Sequence, residues 1–351
     1  MNSDIVTDFD SPKTEFIDFC KEVCPDVPLP SELENVVETY PFRISKYLKE
    51  RFSSLSHSIQ KQVWPTVAEL EKTILTQDPF GEEEQSPIPF LIHRYADRVL
   101  ILATDECAMY CRFCLRKRRV GKKGAIGADE FQAIINYIAN RPNVREVIFS
   151  GGDPLMISDD VLDKMLQKIR QISHVKIIRF HTRMLMATPA RITPELGTML
   201  KKYAPVYLIC HFNVPEEITA ESQKAISLLA DAGIILGNQS VLLRGINDSP
   251  LILSSLWRTL AELRVRPYYL HHPDPIAGTA HFRLSVRKGL AIYRAAEKIS
   301  GLCVPRYVLD MPSGHGKVAL HEGLIVDENK DEVGLLLPDG TLFRYPDGDC
   351  T

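Results

Sequence analysis

Three closely spaced cysteines, Cys107, Cys111 and Cys114, are the residues of this chain best suited to reactive chemistry. An odd set of neighbouring thiols does not suggest disulfide pairing, whereas thiolates are the usual ligands of iron–sulfur clusters. A four-iron cluster takes four ligands, so three cysteines would leave one iron open to bind a reactant. The alternative is a zinc site that uses a distant fourth ligand such as Cys210 or Cys303.

A second reactive stretch runs from Asp310 to Lys317 and has glycine at positions 314 and 316. A lysine on a glycine-flanked loop can change position, and its amine becomes nucleophilic when its surroundings are partly dehydrated. Such a lysine is suited to forming a Schiff base with a carbonyl cofactor. A solvated lysine in a flexible loop is the alternative for this pattern.

The region from residue 98 to residue 272 alternates short apolar runs with amphipathic segments. The apolar runs predict six strands, at residues 98–104, 144–150, 175–182, 206–212, 235–243 and 265–272. The amphipathic segments predict helices at residues 129–140, 159–172, 194–203, 220–232 and 251–263. Strands and helices that alternate in this way form a parallel sheet covered by helices. Periodicity alone does not decide between a partial (β/α)6 barrel and a doubly wound sheet.

The chain divides into three predicted parts. Residues 1–90 form a helical extension, with prolines separating amphipathic pieces at 14–23, 32–40 and 66–75. Residues 91–300 carry the alternating strands and helices. Residues 301–351 carry a further short strand at 307–309 and a small antiparallel sheet at 324–326, 333–337 and 341–345.

Polar residues collect where the predicted strands end. At or near the ends of the second to sixth strands stand Ser150, Gly151, Gly152, Asp153, His181, His211, Gln239 and Asp274. The two glycines leave room for a ligand to approach the main chain. Because catalytic residues of parallel α/β folds lie at the carboxyl ends of the strands, we expect these residues to face one site together with the cysteines.

The composition shows no bias toward nucleic acid or membrane. The chain has 351 residues, of which 45% are hydrophobic, and a net charge of -3. The basic run Arg116–Arg119 directly follows the cysteines, so we predict that it faces anionic ligands of the site. No apolar run approaches the roughly 20 residues of a membrane-spanning helix, and the acidic N-terminus lacks the core of a signal peptide. These features, with scattered unpaired cysteines, predict a cytoplasmic protein.

The cysteine spacing C-x3-C-x2-C at the end of a strand resembles that of radical S-adenosylmethionine enzymes. Residues 105–121 resemble the lysine 2,3-aminomutase family in particular, and the resemblance extends over roughly residues 30 to 345. It implies a TIM-like partial (β/α)6 barrel of the radical S-adenosylmethionine type. It also implies a 4Fe-4S cluster on the three cysteines, with S-adenosyl-L-methionine bound at the open iron.

The stretch from Asp310 to Lys317 resembles the family motif that contains the lysine for pyridoxal 5'-phosphate. The spacing is the same, although Met311, Ser313 and His315 depart from that motif. Arg98 matches a family arginine near the phosphate of this cofactor. The positions that match family contacts to S-adenosylmethionine are Ser150, Gly151, Gly152, Asp153, His211 and Gln239.

The resemblance also implies a substrate site. Arg116 matches the arginine that receives the substrate carboxylate, and Asp274 and Asp310 match two aspartates that bind the side-chain ammonium of lysine. Two carboxylates offset the dehydration of a buried ammonium. Without the ammonium, repulsion between the like charges would force one carboxylate to take up a proton. The related glutamate aminomutases lack this acidic pair, so the pair indicates lysine.

The function implied is that of an isomerase that converts L-lysine to β-lysine by moving the amino group from C2 to C3. We expect an electron donor such as flavodoxin or ferredoxin, and a homodimer or higher homo-oligomer. Zinc is doubtful, because the C-terminal cysteine cluster of longer family members is reduced here to Cys350. The alternatives are an aminomutase that serves modification of elongation factor P, one that acts on arginine, and an iron–sulfur protein without turnover.

Overall fold

The structure is a computed structural model that describes residues 12–23, 31–122, 124–312, 316–329, 331–337 and 339–347. Its main feature is a sheet of nine strands that lie side by side in chain order. The strands are β1 (Leu91–Tyr95), β2 (Arg98–Thr104), β3 (Glu146–Gly151), β4 (Ile177–Thr182), β5 (Val206–Cys210), β6 (Ile235–Val241), β7 (Arg266–His271), β8 (Arg306–Met311) and β9 (Gly316–Ala319). Strands β2 to β8 are parallel, whereas β1 and β9 run antiparallel to their neighbours at the two edges.

The strand order identifies a partial barrel and excludes the doubly wound alternative. A doubly wound sheet reverses its strand order at a switch point, and no reversal occurs here. The two edges also come together, since an Arg94 nitrogen in β1 lies 3.7 Å from a carboxylate oxygen of Asp310 in β8. At Gly316, with φ +82°, a Cβ atom would lie 3.1 Å from the Tyr95 hydroxyl. The predicted barrel is therefore confirmed, with a seventh parallel strand in β8.

Helices cover the outside of the barrel, and four shorter or terminal helices lie in the described part of the N-terminal extension. They are α1 (Pro12–Val23), α2 (Ser31–Thr39), α3 (Lys46–Lys49), α4 (His57–Gln60), α5 (Ala128–Ala139), α6 (Asp159–Arg170), α7 (Met184–Ala187), α8 (Pro194–Lys201), α9 (Ala220–Asp231), α10 (Pro250–Glu262) and α11 (Val286–Ala296). In α6 the buried residues Leu162, Met165, Leu166 and Ile169 recur at helical spacing and pack toward the sheet. Thr193 caps α8 by accepting a hydrogen bond from the Leu196 N–H. The five predicted helices of the barrel are confirmed.

The predicted helix at residues 66–75 is wrong. The chain forms one short helical turn at Val67–Leu70 and leaves it in an extended conformation at Glu71. The reason is Glu69, whose buried carboxylate accepts hydrogen bonds from Arg112 and Lys117. Because Glu69 faces the protein interior, the apolar spacing around it does not define a surface helix.

The predicted C-terminal sheet is confirmed as a separate three-stranded antiparallel unit. It consists of β10 (Ile325–Glu328), β11 (Glu332–Leu336) and β12 (Leu342–Pro346). The Tyr345 hydroxyl donates to the Pro273 carbonyl oxygen at 3.2 Å, which joins this sheet to the segment after β7. Among the described residues, no helix is long and apolar enough to cross a membrane.

Candidate active site

Two adjoining cavities occupy the barrel: the first lies at the carboxyl ends of the strands, and the second extends along the barrel interior as far as the first residues of β2 and β3. The cysteine cavity is lined by Cys107, Cys111, Cys114, Gly151, Gly152 and Asp153. The lysine cavity is lined by Arg98, Asp310 and Lys317. The residues that line both cavities include Arg116, Ser150, His181, His211, Gln239 and Asp274. The structure thus brings all of the predicted site residues into one continuous space, and their individual roles stay predictions.

The cysteines lie on a loop that the N-terminal extension fixes in place. Arg112, within this loop, donates its main-chain N–H to the Gln62 carbonyl oxygen at 2.9 Å. Its buried guanidinium binds the Glu69 carboxylate and the carbonyl oxygen of Pro41. Lys117 also donates to Glu69, so one buried carboxylate is the shared counter-ion of two cations of the loop.

The cysteine arrangement fits an iron–sulfur cluster better than a single ion. In the described ranges, no group of three His, Cys, Asp or Glu side chains could hold one metal ion. A cluster of several irons accepts thiolates that are further apart, and all three thiols are unpaired and line one cavity. Cys210 belongs to the apolar core, and Cys303 precedes β8 at the opposite end of the barrel. The zinc alternative with either residue as fourth ligand is therefore not supported.

Gly151 and Gly152 have a packing role that the sequence did not reveal. A Cβ atom at Gly152 would lie 2.2 Å from the Glu106 carbonyl oxygen, and one at Gly151, with φ +115°, 2.3 Å from that of Thr104. The glycines therefore allow the end of β3 to pack directly against the start of the cysteine loop. Their predicted contact with a ligand is compatible with this, because both also line the cysteine cavity.

The Asp153 carboxylate holds two strand ends together. It accepts hydrogen bonds from the Leu155 N–H at 3.0 Å, the Thr182 hydroxyl at 2.8 Å and the Arg183 N–H at 2.7 Å. Burial raises the pKa of Asp153, and these donors act against the rise. Arg183, the last residue of the polar run His181–Arg183 at the end of the third predicted strand, also places its Nη1 atom 2.8 Å from the Cys111 sulfur. Asp153 thus positions a cation beside the cysteine loop.

Lys317 lies on a strand and not on a free loop as predicted. It belongs to β9, and its Nζ atom lies 2.8 and 2.7 Å from the two carboxylate oxygens of Asp310 in β8. Its side chain is about one-third exposed, at 32%, toward the lysine cavity. The departures from the family motif at Ser313 and His315 fall outside the described residues, whereas Met311 is buried in β8.

Asp274 and Asp310 differ in charge although they line the same cavity. Burial and the Asp310 carboxylate raise the pKa of Asp274 to about 8. Burial acts in the same direction on Asp310, but Lys317 and His271 outweigh it and hold the pKa of Asp310 well below its usual range. At neutral pH Asp274 is therefore mostly protonated and Asp310 is ionised, as expected for two carboxylates that share one buried cavity.

The basic run Arg116–Arg119 is neutralised by the protein, which corrects the prediction that it faces anionic ligands. Most of its acidic partners besides Glu69 lie in residues 78–86, here called the acidic loop, and Asp105 lies 3.9 Å from Arg119. Arg118 pairs with Asp78 and Arg119 with Glu83. The Arg116 guanidinium is buried against Glu82, with the Nη2 atom 2.7 Å from a carboxylate oxygen. Cations inside a protein require such counter-ions. Of the four residues of the run, Arg116 is the one that lines both cavities, and it does so with part of its guanidinium.

Arg94, in the edge strand β1, is a further candidate for a phosphate contact. Arg98 lies at the rim of the lysine cavity, where it pairs with exposed Asp97 and stacks on the Tyr95 ring. Arg94 lies next to Asp310 and donates through Nε to the Gln85 side chain at 2.7 Å. Arg94 was not predicted as a site residue, because β1 is short and only half buried.

His181, expected from the sequence to face the site, lines both cavities. Among the described residues no hydrogen-bond partner reaches its buried Nε2 atom, and the ring lines both cavities. Burial lowers the pKa of His181 well below its usual value, and the cations Arg179 and Lys317 add to the shift. A neutral imidazole therefore stands between the two cavities, available to a bound molecule.

Comparison with known proteins agrees with this geometry. The Radical SAM superfamily profile matches residues 101–253, from β2 into α10. The barrel and its three-cysteine loop thus define a radical S-adenosylmethionine enzyme. An L-lysine 2,3-aminomutase of Acetoanaerobium sticklandii is 46% identical over 294 residues, covering 83% of this chain and 71% of the relative. The chain belongs to the lysine 2,3-aminomutase family.

Two further relatives show the range of the family. The L-lysine 2,3-aminomutase of Methanococcus maripaludis is 41% identical over 321 residues, which cover 90% of this chain and 74% of the relative. A glutamate 2,3-aminomutase of Clostridioides difficile is also 41% identical, over 285 residues that cover 81% of this chain and 68% of the relative. Overall identity therefore does not separate the two substrates, and the residues of the lysine cavity must do so.

Proposed function

We propose that this protein converts L-lysine to β-lysine by moving the α-amino group from C2 to C3. The observation that carries the proposal is the position of Asp274 and Asp310 in the cavity that also contains Arg116 and Lys317. The acidic pair suits a substrate whose side chain ends in a cation, and Arg116 suits its carboxylate. A glutamate side chain would place a third carboxylate beside the pair, which disfavours that substrate.

The lining residues suggest that each cavity binds different cofactors. When bound, the 4Fe-4S cluster with S-adenosylmethionine supplies a hydrogen-abstracting radical, and pyridoxal 5'-phosphate supplies the carbonyl that carries the migrating amine. Cys107, Cys111 and Cys114 would hold the cluster. Lys317 would bind pyridoxal 5'-phosphate, with Arg94 and Arg98 near enough to the lysine cavity to receive its phosphate.

The residues of the shared wall would bind and orient the reactants. Ser150, Gly151, Gly152, Asp153, His211 and Gln239 line the cysteine cavity, where the ligand would be S-adenosylmethionine. The buried wall keeps bulk water from the reacting atoms. We further propose an external electron donor such as flavodoxin or ferredoxin, and a homo-oligomeric assembly.

The test is an anaerobic assay of the iron-reconstituted protein with lysine, arginine and glutamate in parallel. S-adenosylmethionine, pyridoxal 5'-phosphate and a reductant are supplied, and products are identified by mass spectrometry. We expect β-lysine as the main product and no product from glutamate. β-Arginine as the main product would transfer the proposal to the arginine alternative. Cleavage of S-adenosylmethionine without any amine migration would contradict the proposed substrate class.

Binding of lysine is expected to strengthen as pH rises toward 8. Below that pH Asp274 is protonated, because its pKa is raised to about 8, and a neutral carboxyl binds the lysine ammonium weakly. The KM for lysine should fall by up to about tenfold per pH unit below pH 8 and then level off. The measurement is the KM for lysine between pH 6.5 and 9, with the KM for S-adenosylmethionine as the control.

An Asp274→Asn variant separates this effect from other titrations. Asparagine cannot ionise, so the variant should bind lysine weakly at every pH and lose the pH dependence of its KM. If the variant keeps the wild-type pH profile, Asp274 is not the titrating group.

A further inference from the structure

The acidic loop, residues 78–86, is a rigid support beside the substrate cavity. The Asp78 carboxylate accepts hydrogen bonds from the N–H groups of Glu82 at 3.1 Å and Glu83 at 3.2 Å. The Ser86 hydroxyl donates to the Glu82 carbonyl oxygen at 2.8 Å. At its end the loop joins β1, since the Gln85 carbonyl oxygen accepts from the His93 N–H at 2.9 Å. The Glu82 side chain therefore projects from a fixed main chain.

Glu82 binds one edge of the Arg116 guanidinium and leaves the other edge open. Its carboxylate oxygens lie 3.1 Å from Nε, and one of them lies 2.7 Å from Nη2. In the part of the chain that the structure describes, Nη1 has a single long contact, to the Ser150 hydroxyl at 3.4 Å. A guanidinium can bind carboxylates along two edges, so the edge that includes Nη1 is available toward the cavity.

The charge and burial of Glu82 distinguish it, as the partner of Arg116, from the neighbouring Glu83. Burial acts to raise the pKa of Glu82, but Arg116, with Arg118 and Arg94 as further cations, outweighs it and lowers the pKa. Glu82 therefore stays ionised inside the protein. The neighbouring Glu83 is 59% exposed and pairs with Arg118 and Arg119 outside the cavity.

We propose that Glu82 is the positioning residue of the substrate site: it fixes the Arg116 fork so that its free edge receives the carboxylate of the amino acid. The inference rests on the proposed function, in which Arg116 binds that carboxylate. Without Glu82 the buried guanidinium would lose its counter-ion and its fixed orientation. The substrate carboxylate would then meet a fork that is no longer held toward the cavity.

The test compares Glu82→Gln with Glu82→Asp and with Glu83→Gln as the matched control. We expect Glu82→Gln to raise the KM for lysine at least about tenfold, because one member of a buried charge pair is lost. Glu82→Asp, which keeps the charge, should recover part of this loss. Glu83→Gln should stay within about twofold of wild type, as expected for an exposed pair. The KM for S-adenosylmethionine and the thermal unfolding midpoint are measured for each variant.

Lysinamide, which lacks the carboxylate, separates positioning from a general defect. It is tested as a substrate and as a competitor of lysine, and Glu82→Gln should weaken its binding much less than that of lysine. An equal loss for both compounds, or a lysine KM within about twofold of wild type in Glu82→Gln, would overturn the inference. Failure of the wild-type protein to act on lysine would instead overturn the proposed function, so the two failures are distinguishable.

Discussion

Replacing Lys317 by alanine is expected to abolish formation of β-lysine, with a loss of at least about a thousandfold in turnover. The Nζ atom of Lys317 is the amine that we propose binds pyridoxal 5'-phosphate covalently, and it lies 2.7 to 2.8 Å from the Asp310 carboxylate oxygens. The cysteine loop is untouched by the change, so cleavage of S-adenosylmethionine should persist. The measurements are β-lysine formation and borohydride-dependent attachment of pyridoxal 5'-phosphate, mapped by mass spectrometry.

Two further variants define the role of Lys317. Lys317→Arg keeps a cation beside Asp310 but cannot bind the cofactor covalently, so it should be folded and inactive. Lys202→Ala removes an exposed lysine near the end of α8 and should leave activity unchanged. Turnover by Lys317→Ala, or mapping of the cofactor to another lysine, would show that Lys317 has a different role.

Replacing Glu69 by glutamine is expected to destabilise the cysteine loop strongly. Glu69 is fully buried and is the shared counter-ion of Arg112 and Lys117. Burial acts to raise the pKa of Glu69, yet the two cations lower it, so the native state depends on its negative charge. Loss of one member of a buried ion pair costs about 3–5 kcal/mol. Thermal unfolding and the iron content after reconstitution measure the two expected losses.

Glu71→Gln provides the matched control for Glu69→Gln. Glu71 is two residues further along the chain and exposed, so its replacement should leave stability and iron content at wild-type values. If Glu69→Gln unfolds at the wild-type temperature and loads iron fully, the extension does not support the cysteine loop in the way the contacts indicate.

Much of the barrel could be predicted because strands such as β2 and β3 are largely buried on both faces. The run from Arg98 to Thr104 is almost continuously apolar, and the structure gives β2 the same bounds. Strands β1 and β9 were missed, because edge strands of five and four residues are only partly buried and lack that pattern. At Glu69 a helix was predicted that does not form. The burial of its carboxylate can be recognised only from its partners Arg112 and Lys117, which are distant in the sequence.

Site residues at the ends of strands could be predicted from the strand pattern. Side-chain pairs between residues far apart in the sequence could not. The ends of parallel strands meet at one edge, so Ser150, His211 and Asp274 could be expected near the cysteines. Glu82 is separated from Arg116 by 34 positions, and no local pattern relates the two. The same is true of Arg94 and Asp310, which meet because the barrel nearly closes.

The barrel is completed by side-chain contacts and not by a closed ring of strands. Strands β1 and β9 are the edges of the sheet and, among the described residues, share no main-chain ladder, although the Arg94 side chain in β1 reaches Asp310 in β8. Lys317 lies directly beside this seam. Separation of the two edges would break side-chain contacts and leave every strand pair intact. The wall that carries the predicted cofactor lysine is therefore joined to the opposite edge by side-chain contacts and not by a strand ladder.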